Sequence, residues 1–433
     1  MNIESYVSDK YNSKTEWFEE EVNSYFHQRR VYKILDTKEY LAGKHKILNK
    51  PSEMWNKQVY HPKKIVLQYA KTVLNFSISY LLQNPVTLIG EDNTVGIFKR
   101  IYKRGRYNKL DFDILSNMVK YGNAYEYLYL DNEKNIKSKL IDAADSYPVL
   151  NDFGEMVSFI EHFTTDGISY YYVYYPDKVE LWSNKGTYLH KDDEYINLSG
   201  LPVVYRNENE IDNFFGRSEL EDIISILDNM EGLLSKSVDG FEKYITGIPI
   251  ITGQQLKGDG MPNDIVGGGI ALDDGATFDF KANKFNKSAF ETLYDTLRQA
   301  LLDVSHTPAV SLNSQDVSNL SEVSMKLLFS LADIKAGLNE KNMREGMQGR
   351  FEKIRKLLGY TGVDIAEEEF DSLNVVFQYA RPVNEVDIID NLVKLRGINA
   401  ISIESTLERS PYTEDVSVEL EKLGEEGNKS NTE

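Results

Sequence analysis

Acid–base or metal chemistry in this chain would have to begin with its histidines, His27, His45, His61, His162, His190 and His306. None sits at the spacing that lets two imidazoles reach one metal ion, and none comes with the Ser and Asp pattern of a hydrolytic triad. The acidic pairs Asp111/Asp113 and Asp273/Asp274 could offer oxygen ligands to a divalent cation. In a chain this acidic they read instead as surface charge. Carboxylates are numerous enough to supply a glycosidase pair, yet nothing in their context singles out two of them. Gly267-Gly268-Gly269 lacks the strand–turn–helix setting in which glycines cradle a pyrophosphate, so it reads as a flexible loop. No glycine loop ends in Lys-Ser or Lys-Thr, which removes the common nucleotide-triphosphate cradle. The expectation is a protein with no active site, no metal and no cofactor.

The bulk numbers agree. The chain has 433 residues, 41% hydrophobic and 12% aromatic, enough for real cores and for several domains or one elongated subunit. It has no cysteine, which excludes disulfides, thiolate metal sites and cysteine catalysis. The N-terminus carries no basic-then-apolar leader. The most apolar long window, residues 65–82, contains Gln68, Lys71 and Asn75 and reads as a buried amphipathic helix rather than a membrane span. A soluble, cytosolic protein is expected. Net charge is −19, unfavourable for tight general binding to nucleic acid, which depends on Lys and Arg neutralising phosphates.

The elements that dominate the pattern lie between Gly216 and Gly359. Leu220, Leu227, Leu234 and Phe241 recur every seven residues, with Ile223, Ile224, Met230 and Val238 between them, so a helix is expected to Thr246, roughly 40 Å long. Ser218 and Glu221 have capping-box spacing at its start. A glycine-rich excursion follows to about residue 286, with strand-like pieces at 248–252, 270–272 and 277–280. A second helix opens with another capping-box pair, Ser288 and Glu291. It carries Phe290, Leu293, Tyr294, Leu297, Leu301 and Val304 and stops before His306-Thr307-Pro308. After a polar loop to Asn319, a third helix runs over about 320–358. Its stripe includes Leu327, Leu331, Ile334, Leu338, Met347, Phe351 and Ile354, and Gly337, Gly346 and Gly349 suggest a kink.

On either side the patterns are shorter. Residues 14–35 predict a helix burying Trp17, Phe18, Val22, Phe26, Tyr32 and Leu35, and residues 63–82 predict another. Lys99, Arg100, Lys103, Arg104, Arg106 and Lys109 form a basic cluster on a helix; it reads as a solvated face, with contact to a polyanion as the sharper alternative. From Ala124 to Val204 the period becomes two, with turns at Asp131-Asn132, Asp152-Phe153-Gly154 and Thr165-Asp166-Gly167, predicting an antiparallel meander. Its tyrosines could form a carbohydrate or nucleobase platform, but a half-buried sheet or subunit contact explains them more simply. A strand at 375–379 and short helices at 384–396 and 402–409 precede a polar terminus that is expected to be disordered.

In this order the segments resemble the portal proteins of tailed bacteriophages, in the branch found in long-tailed phages of Gram-positive hosts. Tyr40 to Leu48 is similar to that family's aromatic-x-x-Gly-x-His-x-Ile-Leu stretch, although Leu41 stands where a second Tyr is common. Residues 65–86 resemble its helix ending in Tyr-Leu-Leu-x-x-Pro-Val, with Asn84 where Gly is frequent. Phe215 to Glu221 matches the start of its first stem helix, and Ile403 to Leu407 with Glu419-Leu420-Glu421 resembles its crown. The resemblance covers about residues 15–426 and rests on the order of segments rather than on one signature.

That resemblance implies an α+β portal fold. A wing holding an antiparallel sheet (1–217) leads to stem helix 1 (218–247), a small β-containing clip (248–286) and stem helix 2 (287–306). A tunnel loop (307–319), a kinked long helix returning to the wing (320–383), a helical crown (384–426) and a disordered tail (427–433) follow. It implies a ring of about twelve copies at a capsid vertex, conducting double-stranded DNA inward and outward. Its partners would be the terminase large subunit, then the head–tail adaptor, and the major capsid and scaffold proteins; no membrane is involved. The location would be the virion, and the host cytoplasm during assembly. Ser311, Asn313, Ser314, Gln315, Asp316 and Ser318 would face DNA, in keeping with a loop that carries no Lys or Arg. The clip residues Gln254, Gln255, Lys257, Asp259, Asp264, Asp273 and Asp274 would meet motor or adaptor. Leu220, Leu227, Leu234, Phe241, Leu293, Leu297 and Leu301 would contact neighbouring subunits, and the clip strands would pair across subunits. A scaffold-like or other phage structural protein, or a polysaccharide-acting enzyme, are the alternatives; a native mass measurement separates them from a ring.

Overall fold

The computed structural model describes residues 2–55, 58–245, 248–252, 275, 277–281, 286–308, 322–381, 385–410, 412–413, 416, 419–420 and 422–424. The chain opens with helices α1 (Ile3–Tyr11), α2 (Trp17–Val22) and α3 (Tyr25–Leu41). One helix was expected over 14–35. It breaks at Asn23-Ser24, where the Ser24 hydroxyl accepts the His27 amide and starts α3 afresh. The restart rotates the buried face to His27, Ile34, Thr37 and Tyr40, leaving Phe26, Tyr32 and Leu35 exposed.

The strands β1 (Glu53–Trp55) and β2 (Gln58–Tyr60) pair with each other. The helix expected from residue 63 begins only at Tyr69: α4 (Tyr69–Leu82) follows an extended strap over 61–68. Next come β3 (Thr87–Ile89), α5 (Asp92–Gly105) and α6 (Tyr107–Tyr121). Eight strands follow: β4 (Asn123–Leu130), β5 (Ile136–Ile141), β6 (Ser146–Leu150), β7 (Met156–Thr165), β8 (Ile168–Tyr174), β9 (Lys178–Ser183), β10 (His190–Ile196) and β11 (Val203–Arg206).

The expected meander is two antiparallel sheets rather than one, ordered β10-β9-β8-β7-β6 and β11-β4-β5. Side chains of the larger sheet alternate between two cores. Ile160, Tyr171, Val173 and Trp182 pack beneath Trp17 and Phe18 of α2, whereas Phe159, Tyr174 and Val179 meet Tyr125 and Tyr127 of the second sheet. Most of the tyrosines that suggested a ligand platform are core residues of these layers.

The long helices follow: α7 (Leu220–Ile245), the hairpin β12 (Ile248–Thr252) with β13 (Thr277–Lys281), α8 (Lys287–Val304) and α9 (Glu322–Thr361). The hairpin strands, expected to pair across subunits, pair with each other, Ile250 opposite Asp279. Asn286 caps α8 by accepting the Ala289 amide at 3.1 Å, in place of the expected Ser288. The chain closes with α10 (Glu367–Asp371), β14 (Asn374–Val376) paired to β3, α11 (Glu385–Gly397) and α12 (Ile403–Glu408).

The largest core gathers around the second half of α9. Met343, Met347, Phe351, Ile354 and Leu357 are buried against α4, α5, α6, β4 and β11. Each such side chain contributes about 1.5–3 kcal/mol on leaving water. Gly337, Gly346 and Gly349, where a kink was expected, all lie within the single 40-residue helix α9. Gly346 has a packing reason: a Cβ there would stand 2.2 Å from the Tyr205 ring, so the bare backbone lets β11 cross the helix closely.

Gly216, in the segment that resembles the start of a stem helix, has a similar reason. A Cβ on Gly216 would lie 2.0 Å from the Gly122 carbonyl oxygen, and Gly122 itself has φ +86°. The contact is tied by the Asn207 amide donating to Gly122 O at 2.8 Å and the Gly216 amide to Asn123 Oδ1 at 3.1 Å. Gly216→Ala is expected to cost about 1–3 kcal/mol through forced backbone displacement. Gly232→Ala, with open space around the mid-α7 position, should instead stabilise by about 1 kcal/mol. Paired thermal melts check both, and equal effects would remove the close-approach explanation.

Candidate functional site

Among the described residues no group of His, Asp and Glu could hold a metal ion, and no helix is long and apolar enough to cross a membrane. The pair Asp111/Asp113 is divided by the fold. Asp113 is exposed and meets Lys109 at 2.7 Å, while Asp111 is buried against Arg350. The distinctive chemistry is structural and lies at the joints between the long helices and the rest of the chain.

The first joint is a polar ladder on α7. Glu231, Ser235 and Asp239, four residues apart and all buried, face the strap. The Leu67 amide donates to Glu231 Oε1 at 2.8 Å, the Ile65 amide to Ser235 Oγ at 3.0 Å, and the Lys63 amide to Asp239 Oδ1 at 2.8 Å. The fit follows from two repeats. Four helical residues rise about 6 Å, and two extended residues span about 6.6 Å, so alternate strap amides meet every fourth side chain of an antiparallel helix. These amides would otherwise have gone to a helix, and their capture is why α4 starts late.

His45, from the aromatic–Gly–His segment, locks the same place. Its ring is fully buried and stacks on Tyr40 with centroids 3.8 Å apart. Nε2 donates to the Tyr40 carbonyl at 2.9 Å, and Nδ1 stands 2.5 Å from Glu231 Oε1. Burial, with Asp228 and Glu231 nearby, pushes the Tyr40 phenol well up, so it stays a donor towards Asp228 at 3.4 Å. Lys46 reaches the other Asp228 oxygen at 3.0 Å. Gly43, at φ +92°, makes the turn that brings His45 back over Tyr40.

The second joint is Arg350 on α9, fully buried. Its Nε donates to Glu126 on β4 at 2.8 Å, and Nη1 donates to Asp111 on α6 at 2.5 Å and to the Tyr102 hydroxyl at 3.1 Å. Tyr205 donates to the same Glu126 oxygen at 2.6 Å. The rings of Tyr107, Tyr205 and Tyr102 surround the guanidinium with centroids 5.0, 5.6 and 5.9 Å away, within cation–π range. Burial pushes the Asp111 carboxyl up to about 6 against the pull of Arg350, and the two carboxylates hold Arg350 firmly charged.

The residues expected to contact neighbouring subunits divide three ways. Leu220, Leu227 and Leu301 are buried in this chain's own core, against Tyr40, Ala70 and Val73. Their apolar partners are therefore intramolecular, which corrects the reading that a neighbour supplies them. Leu234 and Leu297 are half-buried, and Phe241 and Leu293 are exposed. On α9, Leu327, Leu331 and Ile334 form an outward apolar stripe, 71%, 44% and 57% exposed, at the i, i+4, i+7 spacing of a helix-packing ridge. The residues expected to face DNA, Ser311, Asn313, Ser314, Gln315, Asp316 and Ser318, lie outside the described residues, as do those expected in a clip, Gln254, Gln255, Lys257, Asp259, Asp264, Asp273 and Asp274. The Ser218 and Glu221 capping box is half formed. Ser218 Oγ accepts the Leu220 amide at 3.2 Å, while the Glu221 carboxylate turns to Arg217 at 3.3 Å.

Residues 23–433 match the model of the phage portal protein family, SPP1 Gp6-like, and the chain belongs to that family. The portal protein of Bacillus phage SPP1 is 20% identical over 399 residues, which span 83% of this chain and 75% of that relative. Among solved structures, a chain from the neck of a native gene transfer agent particle, computed with C12 symmetry, is similar over 78% of this chain and 89% of that one, at 12% identity and TM-score 0.45. A chain from the neck of the empty particle, computed with C6 symmetry, is similar over 77% and 87%, at 11% identity and TM-score 0.48. The protein is thus a portal at the capsid vertex, a structural part of a virion rather than an enzyme.

Proposed function

We propose that about twelve copies close into a ring whose channel admits double-stranded DNA during packaging and releases it at ejection. Residues 248–286 would dock the terminase large subunit first and the head–tail adaptor afterwards. The loop at 307–319 would face the duplex, residues 384–426 would form the crown, and major capsid and scaffold proteins would surround residues 1–217. The chain would assemble in the host cytoplasm before residing in the virion. What carries the ring is the exposed stripe Leu327, Leu331 and Ile334 on α9, with Leu293 on α8. Apolar ridges of this kind need cover, and in a head-to-tail ring each copy covers the next.

Native mass spectrometry tests the assembly. Twelve chains of 49.7 kDa form a particle of about 600 kDa, and Leu327→Asp with Ile334→Asp should reduce it to single chains of unchanged helicity. Both sites are exposed, so the variant keeps its fold, and it should lose DNA uptake in a packaging assay. A normal ring from the double variant would sink the assignment of this stripe.

A further inference from the structure

We infer that the outward face of α5 is a binding site for the phosphate backbone of duplex DNA. The helix buries Thr94, Val95, Phe98 and Tyr102 on one side. The other side presents Lys99, Arg100, Lys103 and Arg104, all exposed, and Arg106 continues the patch past the helix end. The polyanion reading of this cluster gains on the solvated one because of what the cations lack. Lys109 has a carboxylate partner, Asp113, but the other five have no ion pair among the described residues.

That is against the composition. Acidic residues outnumber basic ones 68 to 49, and several surface cations elsewhere are paired, as in Lys14–Glu20, Lys38–Asp142, Lys44–Glu39 and Lys46–Asp228. Single cations such as Lys71 and Lys134 also stand without an ion pair among the described residues, and what sets the patch apart is five of them within residues 99–106. The helix dipole favours cations in the last turn and so accounts for Lys103, Arg104 and Arg106. It does not account for Lys99 and Arg100 a turn earlier. The two ranks, 99/103 and 100/104, are spaced about 6 Å along the axis. They form a narrow row of point charges with no acidic residue between them, the pattern a polyanion recognises and a specific protein partner, with its mixed polar rim, does not. The choice of duplex DNA over other polyanions rests on the portal reading, since that is the polymer a portal handles. The patch sits where α5 and α6 pack on β5, the sheet-bearing part of the chain.

The test uses the full chain in its native assembly and a fluorescein-labelled linear duplex of mixed sequence. Fluorescence anisotropy is read from 50 to 200 mM salt. In the variant Lys99→Gln, Arg100→Gln, Lys103→Gln, Arg104→Gln, affinity at 50 mM salt should fall at least tenfold. The slope of log K against log salt should flatten by about 0.9 for each phosphate that is no longer neutralised. A control removing equal charge elsewhere, Lys14→Gln, Lys44→Gln, Lys185→Gln and Lys341→Gln, should keep the wild-type slope. Wild-type binding by the quadruple variant overturns the site, as does an equal loss in the control. A fall in native mass also overturns it, marking the face as a contact between copies, and so does a preference for poly-glutamate over duplex. A ring that still packages DNA while the variant binds like wild type would reject this site and leave the portal reading standing.

Discussion

Arg350→Met is expected to destabilise the folded chain by about 3–5 kcal/mol at pH 7.5, the usual cost of removing one partner from a buried ionic cluster. Methionine fills much of the space, so the loss is electrostatic rather than a cavity effect. Asp111 and Glu126 would be left buried with no cation, and the three hydrogen bonds they accept would be reduced to the one from Tyr205. The pH dependence carries the sign. In the native protein the Asp111 carboxyl, raised to about 6, contributes stability that is full below its unfolded value and lost as pH rises through 6. Without Arg350 the Asp111 carboxyl rises further, because burial disfavours the charged form. The variant therefore gains more on acidification, and its deficit should narrow between pH 8 and pH 5. Denaturant unfolding at both pH values measures this. The triple variant Asp111→Asn, Glu126→Gln, Arg350→Met should recover most of the loss, and a deficit that is flat with pH and not rescued would mean that packing, not charge, makes Arg350 necessary.

The second large effect is expected at the ladder. Glu231→Ala removes the partner of the Leu67 amide and of His45 Nδ1, leaving two buried polar groups unpaired at about 1–3 kcal/mol each. The effect should be local before it is global. In hydrogen exchange the amides of Lys63, Ile65 and Leu67 should lose at least tenfold protection while those of β7 and β8 keep theirs. Ser235→Ala removes one rung and should cost about 1 kcal/mol. Glu231→Gln keeps an acceptor for Leu67 and should restore that amide but not the His45 contact. Unchanged exchange at Leu67 in the alanine variant would show that the strap is held by its apolar contacts alone.

Much of this fold was legible in the sequence where one period ran undisturbed. The helices α7, α8 and α9, the strands expected at 248–252 and 277–280, and the alternation through the tyrosine-rich sheets are found. The errors have physical causes. Ile65 and Leu67 sit in an apolar stretch that looks helical, but a helix 170 residues away in sequence takes their amides. Phe26, Tyr32 and Leu35 fit a stripe whose phase was reset by one serine cap. Glu231, Ser235 and Asp239 carried a signal, polar residues four apart on an otherwise apolar helix, that periodicity of hydrophobes passes over. Arg350 carried none, because one of three arginines on a long helix, with Arg344 and Arg355, reads as surface. The contact residues were half legible: heptad spacing found the apolar positions of α7, but spacing alone does not say whether the chain or its neighbour covers them.

The Arg350 cluster also bears on how the protein is made. Glu126 and Arg350 are separated by 224 residues, and the core around Asp111 is filled by side chains of the same late helix. While the ribosome is still translating the glycine-rich excursion, the sheet-bearing half lacks both its counter-ion and its central apolar filling. It must wait, incomplete, until α9 emerges from the exit tunnel. Amino-terminal fragments ending near residue 217 would therefore carry Asp111 and Glu126 without their counter-ion and a core open where α9 packs, the kind of species on which chaperones act. Completion of the subunit, and with it the surface offered to the next copy, is tied to the arrival of the last third of the chain.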